Sequence, residues 1–211
     1  MKRYTSPREL RVRRRATKIL KILKKLFPKP KIALRHRSNW ELLVAVILSA
    51  QCTDKKVNEV TGKLFKKYRK LDDYVHAKRK EFERDIKSTG FYRNKTKNIL
   101  LAAKVIKYRF DGKIPKTMDE MLVIPGVARK TANIVLGDAH GIVEGIAVDT
   151  HVIRLSKKLG LTDYNDPKKI ERDLMEIFPK KEWRLLSHRL IKYGRKYCPA
   201  KSHQHAKCPL P

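Results

Sequence analysis

The chain has 211 residues and is 41% hydrophobic, enough for a sizeable core in one domain or two small lobes, which excludes wholesale disorder. Its formal net charge of +31, from 52 Lys plus Arg against 21 Asp plus Glu, points to a polyanionic partner, nucleic acid before an anionic membrane surface. No run approaches the ~20 apolar residues of a membrane span. No apolar core follows the basic start as it would in a secretory signal. The three cysteines, Cys52, Cys198 and Cys208, are no disulfide framework, so a reducing, cytoplasmic setting is expected.

In chain order, residues 1–31 hold one acid, Glu9, among many lysines and arginines, and residues 1–17 read as a basic arm. Ala16, Ile19, Leu20, Leu23, Leu26 and Phe27 then fall at helical spacing, predicting an amphipathic helix with a lysine-rich outer face that Pro28 and Pro30 end. A membrane-surface helix shares that pattern, but a docked helix facing DNA fits the rest of the chain better. Ser38-Asn39-Trp40-Glu41 reads as a capping box before an apolar helix from Leu42 to Ala50, too apolar for a surface position. Polar residues, Ser49 to Asp54, interrupt it. A further helix carries Val57, Val60, Leu64, Phe65 and Tyr68, and shorter helical patterns run through Tyr74 and Phe82 to Ile86. Ser88 to Tyr92 breaks the pattern, and Asn94 to Phe110 resumes it with Ile99, Ala102, Ala103 and Ile106. Thr117-Met118-Asp119-Glu120 is a second capping box, opening a short helix. The last helical segments are Val152 to Leu159, Pro167 to Phe178 (capped by Asp166) and Trp183 to Tyr197. No alternating strand pattern of useful length and no internal repeat occurs, so the predicted fold class is all-α.

The chemistry concentrates between Ile124 and His151. The turn Pro125-Gly126 breaks the chain before an apolar helical run with Val127, Thr131, Ile134 and Val135. A hairpin that opens a helix presents backbone N–H groups suited to a phosphate, here along Pro125, Gly126, Val127, Ala128 and Arg129. Lys130 sits in the first turns, where the helix dipole disfavours a further positive charge and favours a free, nucleophilic amine; by composition alone it reads as one surface lysine among many. Asp149 precedes the helix VDTHVIRLSKKLG and reads as its N-cap. From the residues alone, Gln51 is a helix C-terminal residue and Phe91 ordinary core.

These motifs together resemble the helix-hairpin-helix DNA glycosylases, endonuclease III most closely, from about Lys18 to Pro209 and in the family's order. The resemblance implies two all-α lobes with the DNA cleft between them. One would be a helical barrel over residues 32–143 containing the hairpin. The other would combine residues 18–31 and 144–211 and bring Asp149 opposite Lys130. It further implies base-excision repair by a bifunctional glycosylase/AP lyase. Lys130 would attack C1′ and leave a Schiff base, and Asp149 would assist loss of the base. Gln51 of Leu48-Ser49-Ala50-Gln51 would fill the gap left by a flipped base, and Phe91 would wedge the other strand. The family's commoner Gly-Val-Gly is here Gly126-Val127-Ala128, and a helix start at Ala128 keeps the hairpin. The expected partner is duplex DNA with a damaged base or an abasic site, bound by a monomer without a membrane and without a required external cofactor.

The family pattern also implies a 4Fe–4S cluster held by Cys-x6-Cys-x2-Cys-x5-Cys. Cys198 and Cys208 occupy the first and third positions, His205 the second, and the fourth would fall at 214. A cluster-free loop over residues 198–211 is therefore expected. A zinc site adding His203 and His205 to the two cysteines is the alternative. Two other functions remain open at this level: a mismatch-specific thymine or adenine glycosylase, which would usually lack the lysine, and a DNA-binding protein without catalysis.

Overall fold

The computed structural model describes residues 6–210, and among them every regular element is helical. The α-helices are α1 (Pro7–Leu26), α2 (Asn39–Leu48), α3 (Asp54–Lys67), α4 (Leu71–Val75), α5 (Arg79–Ile86) and α6 (Tyr92–Arg109). They continue with α7 (Met118–Val123), α8 (Arg129–His140), α9 (Thr150–Lys158), α10 (Pro167–Ile177) and α11 (Trp183–Lys196). No described helix is long and apolar enough to cross a membrane. The chain divides into two compact units, residues 32–144 and the two flanking segments up to 31 and from 145.

The unit 32–144 is built around α2, whose residues Glu41 to Leu48 are all buried. A helix enclosed on every side must be apolar all round, and this one meets α3, α6 and α8. Ser38 Oγ accepts from the Glu41 N–H at 3.1 Å, as a capping box requires. The Glu41 carboxylate, however, reaches one residue further back than the motif predicts, to the Arg37 N–H at 2.6 Å. The helix ends at Leu48, two residues short of the expectation: Ser49 Oγ donates to Val46 O at 2.7 Å, the Ala50 N–H turns instead to Ile47 O at 3.4 Å, and Gln51 follows in a left-handed conformation (φ 52°).

In the other unit, the basic arm expected over residues 1–17 is corrected from Pro7 onward, where the chain is already helical; residues 1–5 of that reading lie outside the described residues. Ser6 and Glu9 form a reciprocal capping box: Ser6 N–H to Glu9 Oε2 at 2.7 Å and Glu9 N–H to Ser6 Oγ at 3.2 Å. Pro7 at the first helical position adds a preset φ. Ion pairing of Arg8 with Asp163 and a bond from Arg13 Nη1 to Glu176 O (3.0 Å) tie this charged stretch down. Further along α1, Ile19 and Leu23 join Val152, Leu155, Leu174 and Leu190 in the core.

The far end of α1 is held by a buried cation. Arg189, 2% exposed, gives Nε to Phe27 O (3.1 Å) and Nη2 to Pro28 O (3.2 Å), and its Nη1 pairs with Glu182 at 2.6 Å. Lys24 reaches the same carboxylate at 2.8 Å. Burial alone would raise the Glu182 carboxyl, but the bonds from Lys24 and Arg189 outweigh it and hold it below its ordinary range.

Candidate active site and nucleic-acid interface

The hairpin joins α7 to α8 through residues 124–128. Val127 N–H closes it on Ile124 O at 3.1 Å. Gly126 has φ 81°, a conformation that favours glycine, and a Cβ there would come within 2.8 Å of Asn98 Cβ on α6. Ala128 takes φ −94° as the N-cap of α8, so replacing a glycine at this position costs no backbone strain. Alanine has no side-chain oxygen, and Ala128 makes no side-chain bond to the first-turn N–H groups of α8. Lys130 follows on the opening turn with its side chain exposed, rather than buried. The apolar face behind it, Ala132, Val135 and Leu136, is what fixes α8 in the core.

Two loops of the same unit carry strained, exposed residues. Gln51 lies outside α2 at φ 52° and is exposed. Phe91 sits at φ 47°, directly after Gly90 at φ 69°, and is 65% exposed, so it is not the core residue its type suggests. A non-glycine residue in this region costs roughly 1–2 kcal/mol, and such strain is found where surrounding structure enforces it.

The enforcing group is Lys95, 5% exposed on α6, which sequence reading passed over. Its ammonium donates to Leu48 O and to Thr89 O, both at 2.8 Å, and so ties the end of α2 to the turn before Gly90-Phe91. Burial pulls its pKa below the ordinary lysine range. The available signal was register: Lys95 falls in phase with Ile99, Ala102, Ala103 and Ile106, the buried face of α6. One helix therefore supports all three loops, Lys95 holding the strained pair and Asn98 backing Gly126.

Asp149 belongs to the other unit. It is the N-cap of α9, half-buried, and its Oδ1 accepts from Val152 N–H at 2.8 Å. In the same unit, Gly194 of α11 lets α9 approach closely: a Cβ there would stand 2.8 Å from His151 Nδ1.

Past α11, Cys198, His203, His205 and Cys208 gather, with one ligand atom from each lying within 4.8 Å of the others. His203, absent from the family's cysteine pattern, completes the group. Partial desolvation, then the neighbouring His203, Lys158 and Arg154, hold His205 below the ordinary histidine range. The 4Fe–4S cluster implied by the family pattern does not fit this donor set, because imidazole nitrogens replace half of the thiolates it takes.

A family model described as HhH-GPD superfamily base excision DNA repair protein matches residues 44–180. Endonuclease III of Synechocystis sp. is 50% identical over 198 residues, covering 94% of this chain and 90% of that one. Endonuclease III of Bacillus subtilis is 48% identical over 186 residues, covering 88% and 84%. A solved structure of a trapped endonuclease III–DNA covalent intermediate superposes with a TM-score of 0.89 at 45% identity, covering 94% of this chain and 93% of that one.

Proposed function

Because the chain belongs to the endonuclease III family of helix-hairpin-helix base-excision DNA repair proteins, we propose that Lys130 is its nucleophile and Asp149 the carboxylate that assists loss of the base. The protein is a bifunctional DNA glycosylase/AP lyase acting on double-stranded DNA. The substrates we propose are oxidised pyrimidines, met in the cytoplasm.

The observation that carries the assignment is the position of Lys130: an exposed amine on the opening turn of α8, four residues past the glycine of the hairpin. A phosphate held by the N–H groups of that hairpin and helix start, from Pro125 to Arg129, would set the sugar within reach of the amine. The Lys130 amine then forms a bond to C1′ while the N-glycosidic bond breaks toward the base, which leaves with a proton. The nitrogen then sheds a proton, and its lone pair forms the C=N bond of a protonated Schiff base as the C1′–O4′ bond breaks and O4′ takes up a proton, opening the sugar ring. Removal of a C2′ proton expels the 3′ phosphate by β-elimination, nicking the strand, and water releases the enzyme. Asp149 stabilises the positive charge that builds on the sugar as the base departs, as a carboxylate does in glycoside hydrolysis. Gln51 fills the gap behind the flipped nucleotide and Phe91 wedges the opposite strand; their enforced, exposed conformations support these roles. None of these steps calls on an external cofactor.

The test is incubation with a duplex carrying thymine glycol or an abasic site in the presence of borohydride, which reduces a lysine Schiff base to a stable adduct. A covalent protein–DNA adduct that disappears in Lys130→Gln is the expected result. An adduct undiminished in Lys130→Gln would assign the nucleophile elsewhere.

A further inference from the structure

We propose that Cys198, His203, His205 and Cys208 form a tetrahedral site for a single divalent ion of the zinc class, in the place where the family pattern would hold an iron–sulfur cluster. Zinc bonds of about 2.3 Å to sulfur and 2.0–2.1 Å to nitrogen give a tetrahedron with edges of about 3.3–3.8 Å. Cys208 Sγ lies 3.5 Å from His203 Nε2 and 3.9 Å from His205 Nδ1. The widest separation in the group, within 4.8 Å, closes by side-chain rotation of about an ångström. A cluster of four irons would instead have to push the ligand atoms apart.

The surroundings already orient the donors. His203 Nδ1 faces Lys201 O at 2.9 Å, so that nitrogen carries the proton and Nε2, turned toward Cys208, has the lone pair. Cys198 is buried, and Arg154 of α9 holds its carbonyl at 2.6 Å (Nη2) while placing Nη1 3.7 Å from its sulfur. The peptide after Cys208 is anchored as well, Leu210 N–H donating to the Tyr193 hydroxyl at 3.1 Å. Two thiolates cancel the charge of one divalent ion, and the mixture of sulfur and imidazole donors selects zinc over magnesium or calcium. Binding replaces two S–H protons with metal bonds and releases them to solvent, including the one that Cys208 now directs at Tyr197 O (3.1 Å). Lys158, whose ammonium stands 2.9 Å from His205 Nδ1, yields that nitrogen to the ion and turns to water. The ion would then staple residues 198–208 beside α9 and α11, and its binding energy would become stability of this segment.

The experiment uses untagged full-length protein purified anaerobically, with metals counted by mass spectrometry, then stripped with a chelator and titrated with cobalt(II). One zinc per chain is expected, together with the visible bands of tetrahedral cobalt and near-ultraviolet thiolate charge transfer, both abolished by one equivalent of zinc. Cys208→Ser and His203→Ala should each weaken binding at least tenfold. His203 lies in the loop outside the hydrophobic core, so its variant folds even if the cysteine variant does not. Iron and sulfide in equal amounts, a Cys198–Cys208 disulfide in the purified protein, or a stripped chain whose cobalt spectrum stays octahedral would each overturn the site.

Discussion

Lys95→Met separates loop positioning from general DNA affinity. Methionine keeps an unbranched apolar chain of similar length but takes away the one donor that Leu48 O and Thr89 O share at 2.8 Å. Each carbonyl left unsatisfied in the interior costs about 1–3 kcal/mol, partly offset by no longer burying an ammonium, so a net loss of roughly 2–3 kcal/mol in urea unfolding is expected. The larger effect is local. Without the clamp, Gln51 and Phe91 relax from φ 52° and φ 47° toward ordinary backbone. Each residue recovers about 1 kcal/mol in doing so, which lowers the population of the inserting conformation roughly thirtyfold. Single-turnover base excision should fall by that order, and amide exchange should quicken at residues 49–52 and 89–92. Lys97→Met, an exposed lysine of the same helix, controls for the lost charge. Equal excision rates in the two variants, with unchanged exchange in both loops, would refute the clamp.

The same lysine has a pH signature. Its pKa is lowered by burial, so the pH-linked part of its contribution to stability, separate from the two carbonyl bonds it makes, is fully present above the ordinary value of 10.5 and is lost as pH falls through the lower folded value. The urea midpoint of the wild type should therefore rise relative to Lys95→Met as the medium is made alkaline. Glu182→Gln leaves Arg189 buried without a counter-charge and should cost about 3–5 kcal/mol in urea unfolding near neutrality. Since the Glu182 carboxyl is held low, its stabilisation is complete above about 4.5, and the difference from the variant should shrink as acid carries the protein through the lower folded value. Gly126→Ala meets both the positive φ and Asn98, a combined cost of roughly 2–4 kcal/mol, and fluorescence anisotropy should show loss of duplex binding. Asp149→Asn keeps an N-cap for Val152, so thermal stability should change by less than about 0.5 kcal/mol while base excision drops about a hundredfold or more.

Periodicity and turn chemistry made most helices legible: α2, α3 and α6 announce themselves by apolar residues at helical spacing, and Asp149 and Asp166 cap the helices expected of them. The start of α1 was hidden because charge dominates that stretch; the Ser6-Pro7-Arg8-Glu9 box is visible only if one looks for caps before composition. Lys95 was hidden for a related reason. With 52 basic residues, a lysine draws no notice unless its register on a buried face is examined. His203 lies outside the family's cysteine spacing and was legible only as part of the zinc alternative; the folded loop adds the distance, 3.5 Å from its Nε2 to Cys208 Sγ. Backbone strain at Gln51 and Phe91 leaves no compositional trace, since neither residue type advertises a left-handed conformation.

The unit formed by the two flanking segments sets a problem of timing. Helix α1 leaves the ribosome before the other helices of its unit, yet the core that Ile19 and Leu23 join is completed by residues of α10 and α11. At synthesis rates of ~5–20 residues per second, Leu26 precedes Trp183 by on the order of ten to thirty seconds. Residues 32–144, being continuous, can complete their own core during that interval. The nascent α1 must meanwhile carry an uncovered apolar stripe through a crowded cell. Its dense positive charge, which resists self-association, serves the chain before any DNA is met.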